Sequence, residues 1–154
     1  MDTNIQFDDK IFQDAVRFYS TVFSLPPLAS KIYAYLLFDF EKAGVTFDEF
    51  VDVFGASKSS VSTSLLLLVN AELIVDHNKI DERKRYFYIN DDYKRIRFEK
   101  IVQKLQDELK LLEDLDVFNK KQNKNYEEYN ERVVAYKDLL NKTIINIQES
   151  LNKL

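Results

Sequence analysis

The stretch 46–90 constrains the fold most, because two short helices, a tight turn and two strands follow one another within it. The first helix, TFDEFVDVF, begins with a capping box, in which the Thr46 and Glu49 side chains each bond the other residue's backbone amide. Gly55 ends this helix, since glycine adopts the left-handed conformation without a side-chain clash. Ser57 then caps a second helix, SKSSVSTSLLLLVNAEL. This order of elements predicts a helix-turn-helix.

The second helix has an apolar edge and a polar side. Val61, Leu65 and Leu68 recur at steps of four and three residues, so they form the buried edge. Near the N-terminus, the other side carries hydroxyl and basic groups, which suit contact with base edges and phosphates in a DNA major groove. A serine-rich cap on an ordinary amphipathic helix is the alternative. The candidate DNA-binding residues here are Ser57, Lys58, Ser59, Ser60, Ser62 and Thr63.

Two strands, predicted at 73–75 and 86–89, enclose a charged hairpin. Cations in such a hairpin can bind phosphate or enter the minor groove, where the negative potential is strongest when the groove is narrow. The alternative is a solvated hairpin in which Arg83 pairs with Asp81. The candidate DNA-binding residues of the hairpin are Lys79, Arg83, Lys84 and Arg85.

Four further helices flank this unit. Apolar residues at helical spacing predict helices from 8 or 9 to about 23, from 28 to 41, from the 90–92 cap to about 118, and from 126 to 150 or beyond. Gly44 is expected to end the second of these. The segment 119–125 has no apolar residue and reads as a polar linker.

The outer helices carry more apolar surface than a single chain can bury. We therefore predict a homodimer, with residues 1–24 and 91–154 forming dimerisation helices around a winged helix-turn-helix domain at 25–90. The fold class is mainly α with a small β-hairpin wing. A dimer suits a palindromic operator in double-stranded DNA, because two recognition helices about 34 Å apart can enter successive major grooves.

Composition argues against several classes of function. The chain has no cysteine and one histidine, His77, so structural zinc, thiol chemistry and histidine-dependent catalysis are largely excluded. The carboxylates between Glu108 and Asp116 lie on a charged helix without histidine partners, so we expect no enzyme, metal or cofactor. The N-terminus lacks the features of a secretory signal, and the longest aliphatic run, 65–69, is too short to span a membrane. A reducing cytoplasm fits this composition.

The net charge of −4 argues mildly against nucleic acid, but local charge decides such binding. Four basic and two acidic residues occupy 79–85, whereas acidic residues concentrate elsewhere, for example in 107–116. This pattern is typical of an acidic body with a basic DNA-reading edge. The competing hypothesis is a winged-helix module that binds protein and has no specific DNA target.

These residues resemble the MarR superfamily, and more closely its GbsR-like branch, over about 25–90. The resemblance rests on LPPLASKIYAYLL, on the helix pair TFDEFVDVFGASKSSVSTSLLLLVNAELI and on DERKRYFYI, in which Asp81 and Arg83 match the family's Asp-x-Arg. Ile89 and Asn90 depart from the family's usual Leu-Thr. The resemblance implies a homodimeric bacterial transcriptional regulator with a dyad-symmetric operator, often controlled by a small-molecule effector.

The resemblance also suggests an aromatic cage for a ligand, because GbsR-like proteins are associated with choline-type effectors. Aromatic faces can hold quaternary ammonium groups. We favour packing in the core and the dimer interface as the role of these rings, and no single cage can be named. The aromatic residues concerned are Phe12, Phe18, Tyr19, Tyr33, Tyr35 and Phe38.

Overall fold

A computed structural model describes residues 5–122 and 126–154. The chain divides between Tyr93 and Lys94 into two compact units, which we call the winged unit and the helical unit. The elements in chain order are α1 (Asp9–Val22), α2 (Pro27–Leu36), β1 (Val45–Thr46), α3 (Phe47–Phe54), α4 (Lys58–Asn70), β2 (Ile74–Asn78), β3 (Arg85–Ile89), α5 (Tyr93–Gln122) and α6 (Tyr126–Leu151). No helix in the described ranges is long and apolar enough to cross a bilayer.

Helix α1 has two apolar stripes, of which only one is covered within the winged unit. The Asp8 carboxylate accepts the Ile11 amide at 2.9 Å, which caps the helix at its predicted start. Phe12 on the inner stripe is buried against α2. On the outer stripe, Ile11 is 58% exposed and Phe18 54% exposed. The outer stripe is therefore available to another surface.

Helix α2 ends at Leu36, so the predicted extension to residue 41 is wrong. The Asp39 carboxylate accepts the amides of Ala43 at 2.9 Å and Gly44 at 2.8 Å, which closes a turn instead of another helical turn. Gly44 has a φ of +80° and leads into β1. The prediction that Gly44 ends this helix is also wrong, because the glycine lies in the turn that follows the helix.

The sheet has a third strand that the sequence did not predict. Its order is β1-β3-β2, and both pairings are antiparallel. Val45 pairs with Phe87, whose ring packs 6.1 Å from that of Phe50 on α3. The strands β2 and β3 run further into the hairpin than expected and pair from Ile74 with Ile89 to Asn78 with Arg85.

The capping and burial predicted for the helix-turn-helix are confirmed. Thr46 and Glu49 form both bonds of the capping box, and Gly55 ends α3 in the left-handed conformation. The apolar edge of α4 is buried where the helix packs on α2 and α3. The buried residues of this edge are Val61, Leu65 and Leu68.

In the helical unit, α5 and α6 form an antiparallel pair. Arg95 near the start of α5 donates to the Leu151 carbonyl at the end of α6, at 3.0 Å. Further along, Lys137 and Asp116 form a 2.9 Å salt bridge in which both side chains are 17% exposed. Val102 of α5 and Leu140, Ile144 and Leu151 of α6 are buried, whereas Phe98, Tyr136 and Leu154 on the same helices and at the chain end are at least 40% exposed. Helix α5 continues to Gln122, into the predicted linker, and residues 123–125 lie outside the described ranges.

We expect Gly44→Ala to destabilise the chain more than Gly55→Ala. Both glycines have positive φ, so each alanine costs about 1–2 kcal/mol of backbone strain. A Cβ at Gly44 would also lie 2.5 Å from the Tyr88 ring, whereas a Cβ at Gly55 meets nothing within 4 Å. Urea unfolding compares the two variants. Equal free energies of unfolding would contradict the close approach at Tyr88.

Candidate nucleic-acid interface

Three hydroxyl groups at the start of α4, those of Ser57, Ser59 and Ser60, bond within the chain. The Ser57 Oγ accepts the Ser60 amide at 3.2 Å and donates to the Ser60 Oγ at 2.8 Å. It also lies 3.2 Å from the Ser59 Oγ. These bonds satisfy an amide that the first helical turn leaves without a partner. Ser57 therefore has a capping role that does not depend on any ligand.

Other polar side chains near the start of α4 have fewer partners. Lys58 and Ser62 are exposed, and neither side chain makes a hydrogen bond or ion pair with any residue that the structure describes. Thr63 is exposed too, but its hydroxyl donates to the Ser59 carbonyl at 2.9 Å, which leaves lone pairs for an outside donor. This surface can offer one cation and several hydroxyl groups to a ligand.

Two of the four candidate cations in the hairpin are engaged within it. Arg85 forms a 2.7 Å salt bridge with Asp76. The Lys79 ammonium lies 3.9 Å from the centroid of the Tyr86 ring, within the range of a cation–π interaction. The Tyr86 hydroxyl donates to the Glu82 carboxylate, and this bond raises the pKa of Tyr86. These contacts tie the two strands together at the base of the turn.

The other two cations are unneutralised. Arg83 and Lys84 are exposed and have no ion-pair partner among the side chains described in 5–122 and 130–154. The alternative in which Asp81 pairs with Arg83 is therefore not what the structure contains. Among the ten candidate residues, the cations without a described side-chain partner are Lys58 on α4, and Arg83 and Lys84 on the hairpin. All three belong to the winged unit.

The tip of the hairpin holds a further exposed residue outside the predicted set. Ile80 is 101% exposed, as much as a side chain in an extended peptide. Its signal in the sequence is an aliphatic residue isolated in a charged turn. His77 is exposed on β2, with its ring 5.9 Å from that of Tyr88.

The aromatic residues pack in the core and do not form one cage. Tyr33 and Tyr35 are buried, and the Tyr19 and Tyr33 rings meet edge to face at 4.9 Å. Phe18 instead faces outward. A separate cavity of about 370 Å³ lies beside Phe38 and the exposed Phe40. Within the described ranges, no group of three or more His, Cys, Asp or Glu residues is placed to hold a metal ion.

Comparison with solved structures identifies the fold. A crystal structure of a transcriptional regulator is 15% identical to this chain, with a TM-score of 0.61 over 94% of this chain and 95% of its own. The chain has a winged helix-turn-helix fold. MepR, a transcription regulator of the Staphylococcus aureus multidrug efflux pump MepA, is 16% identical with a TM-score of 0.44, over 88% of this chain and 90% of MepR.

A MepR mutant from a multidrug resistant S. aureus clinical isolate has the same identity and TM-score, over 93% and 99% of the two chains. The fold assignment rests on the structure with the TM-score of 0.61. Neither a protein-family model nor a curated protein matches the sequence.

We expect Ser57→Ala to cost about 1 kcal/mol of stability, because the first turn of α4 loses its capping oxygen. Ser62→Ala is the matched control, since that exposed hydroxyl has no described partner, and it should change stability by less than about 0.5 kcal/mol. Thermal and urea unfolding measure both effects. A Ser57→Ala variant as stable as Ser62→Ala would show that the cap contributes nothing.

Proposed function

We propose that this chain is a homodimeric transcriptional regulator that binds a specific, palindromic DNA sequence. One observation carries the proposal: α4 buries its apolar edge and exposes Lys58 and Ser62 without partners. A recognition helix needs this arrangement, with an apolar back against the domain and hydrogen-bonding groups toward the base edges. The resemblance of the sequence to the MarR superfamily, and to its GbsR-like branch, supports the same assignment.

The hairpin supplies the second contact in this proposal. Arg83 and Lys84 have no described anionic partner, so binding to DNA would not first have to break an ion pair. Each cation placed on a phosphate releases counterions, which makes the affinity salt-dependent. Lys79 and Arg85 would contribute less to this salt dependence, because each already has a partner within the hairpin.

A small-molecule effector remains part of the proposal through the family resemblance. Such a ligand would have to bind more tightly to one spacing of the two α4 helices than to another, since equal affinity shifts no equilibrium. A regulator of this kind would act on the chromosome in the cytoplasm.

Fluorescence anisotropy against the DNA upstream of the chain's own coding sequence tests the proposal. We expect a dissociation constant of about 10 nM or tighter at physiological salt, and at least about 10³-fold weaker binding to random DNA. Arg83→Ala should lower the slope of log affinity against log salt by about one unit. Lys153→Ala, which removes an exposed cation from the helical unit, should leave that slope unchanged.

Binding no tighter than to random DNA would contradict the proposal and favour the protein-binding alternative. A slope that Arg83→Ala leaves unchanged would remove only that residue from the interface.

The proposed dimer has its own test. Phe18 lies on the outer stripe of α1, and the helical unit also exposes Leu111, Leu115 and Phe118 at helical spacing. We expect Phe18→Asp to weaken dimerisation by at least about 30-fold, because a charge would replace an aromatic side chain that the proposed interface would bury. Phe40→Asp changes a more exposed ring outside these helices and should leave the dimer intact. Sedimentation equilibrium distinguishes the two, and a monomeric wild-type chain would overturn the dimer.

A further inference from the structure

The fully exposed Ile80 is the most unusual side chain of the hairpin. Isoleucine is among the residue types most often buried, yet every residue from Lys79 to Arg85 is exposed. The other side chains in this segment are charged. The chain therefore places one apolar group alone at the end of a polar projection.

The hairpin holds Ile80 at the corner of a tight turn. The Glu82 amide donates to the Lys79 carbonyl at 3.0 Å, so Ile80 and Asp81 are the two central residues of a β-turn. Below the turn, β2 and β3 pair without interruption from Asn78 and Arg85 inward. The bond between Tyr86 and Glu82 and the ion pair between Arg85 and Asp76 add side-chain ties. The backbone of the turn is therefore ordered before a ligand meets the tip, which lowers the entropy lost on binding.

The surroundings of Ile80 fit a nucleic-acid groove better than a protein surface. Protein-docking sites are contiguous apolar patches, whereas Ile80 has no apolar neighbour within 79–85. The unneutralised Arg83 and Lys84 follow it in the same loop. Proteins that bind the minor groove combine such cations with apolar side chains, isoleucine among them, that contact or enter the base stack.

We propose that Ile80 contacts the floor of the DNA minor groove and makes the chain discriminate against G·C pairs beneath the wing. This inference rests on the proposed DNA binding. Guanine places an amino group in the minor groove, whereas A·T pairs offer only acceptors there. An aliphatic side chain cannot accept a bond from that amino group, so contact would leave a buried donor without a partner. Ile80 would thus add a preference for A·T pairs that α4 cannot supply from the major groove.

The test uses three duplexes that differ only in the base pairs under the wing. Hydroxyl-radical footprinting of the wild-type chain on its upstream DNA locates those pairs, which are then made A·T, G·C or inosine·C. Inosine lacks the guanine amino group but keeps the major-groove acceptors. We expect the wild-type chain to bind the A·T and inosine·C duplexes alike, and G·C about tenfold more weakly, within the range of a mismatched pair.

Substitutions at the tip assign the effect to Ile80. Ile80→Ser should bind the three duplexes within about twofold of one another, since the discriminating contact is lost. Its salt slope should not change, because no charge is removed. Ile80→Val should keep the discrimination, and Phe40→Ser is the control for loss of an exposed apolar group elsewhere.

Each outcome bears on one of the two proposals. If the wild-type chain binds the upstream DNA but treats G·C like A·T, or if Ile80→Ser keeps the discrimination, the role of Ile80 is refuted and the regulator proposal stands. If the wild-type chain binds the inosine·C duplex as weakly as G·C, the guanine amino group in the minor groove does not cause the discrimination. The role of Ile80 is then refuted too. If the wild-type chain binds no DNA specifically, the proposed function fails first and the inference fails with it.

Discussion

The burial of one edge of α4 is the constraint on which the rest of the winged unit depends. Val61 and Leu68 are completely buried and Leu65 nearly so, and each such side chain contributes about 2 kcal/mol when removed from water. That burial orients the helix about its own axis. Its other side must then face outward, which is why Lys58 and Ser62 are exposed. A helix with apolar residues all round could not present such a surface.

In the hairpin, contacts within the chain determine which cations have no partner and can bind a ligand. Four basic residues stand between 79 and 85, but a carboxylate engages one and an aromatic ring another. Exposed ion pairs of this kind contribute little to stability. Their larger consequence is that Arg83 and Lys84 are the hairpin cations without a described partner, while Lys79 keeps its charge beside the Tyr86 ring. The net charge of the whole chain carries no information about this difference.

Local chemistry made much of the fold predictable. Three features involve residues at most three positions apart and can therefore be predicted from the sequence. They are the capping box at Thr46, the left-handed Gly55 and the cap at Ser57. The end of α2 and the strand β1 were missed for a different reason. Asp39 reaches two amides beyond the helix, and Val45 pairs with Phe87, which lies far along the chain. A strand of two residues is also too short to show alternation.

In the candidate interface, too, some features were predictable from the sequence and others were not. By itself the sequence determined the order of the helices and of the two hairpin strands, and the buried edge of α4, because periodicity and capping act over one or two helical turns. It also gave the set of hydroxyl and basic residues from which an interface could be built. Only the tertiary structure decided which of those residues are free. Pairing of β2 with β3 brings Asp76 to Arg85 and Tyr86 to Lys79, and it leaves Ile80 alone at the tip. Those contacts depend on strand register, which side-chain identity alone does not specify.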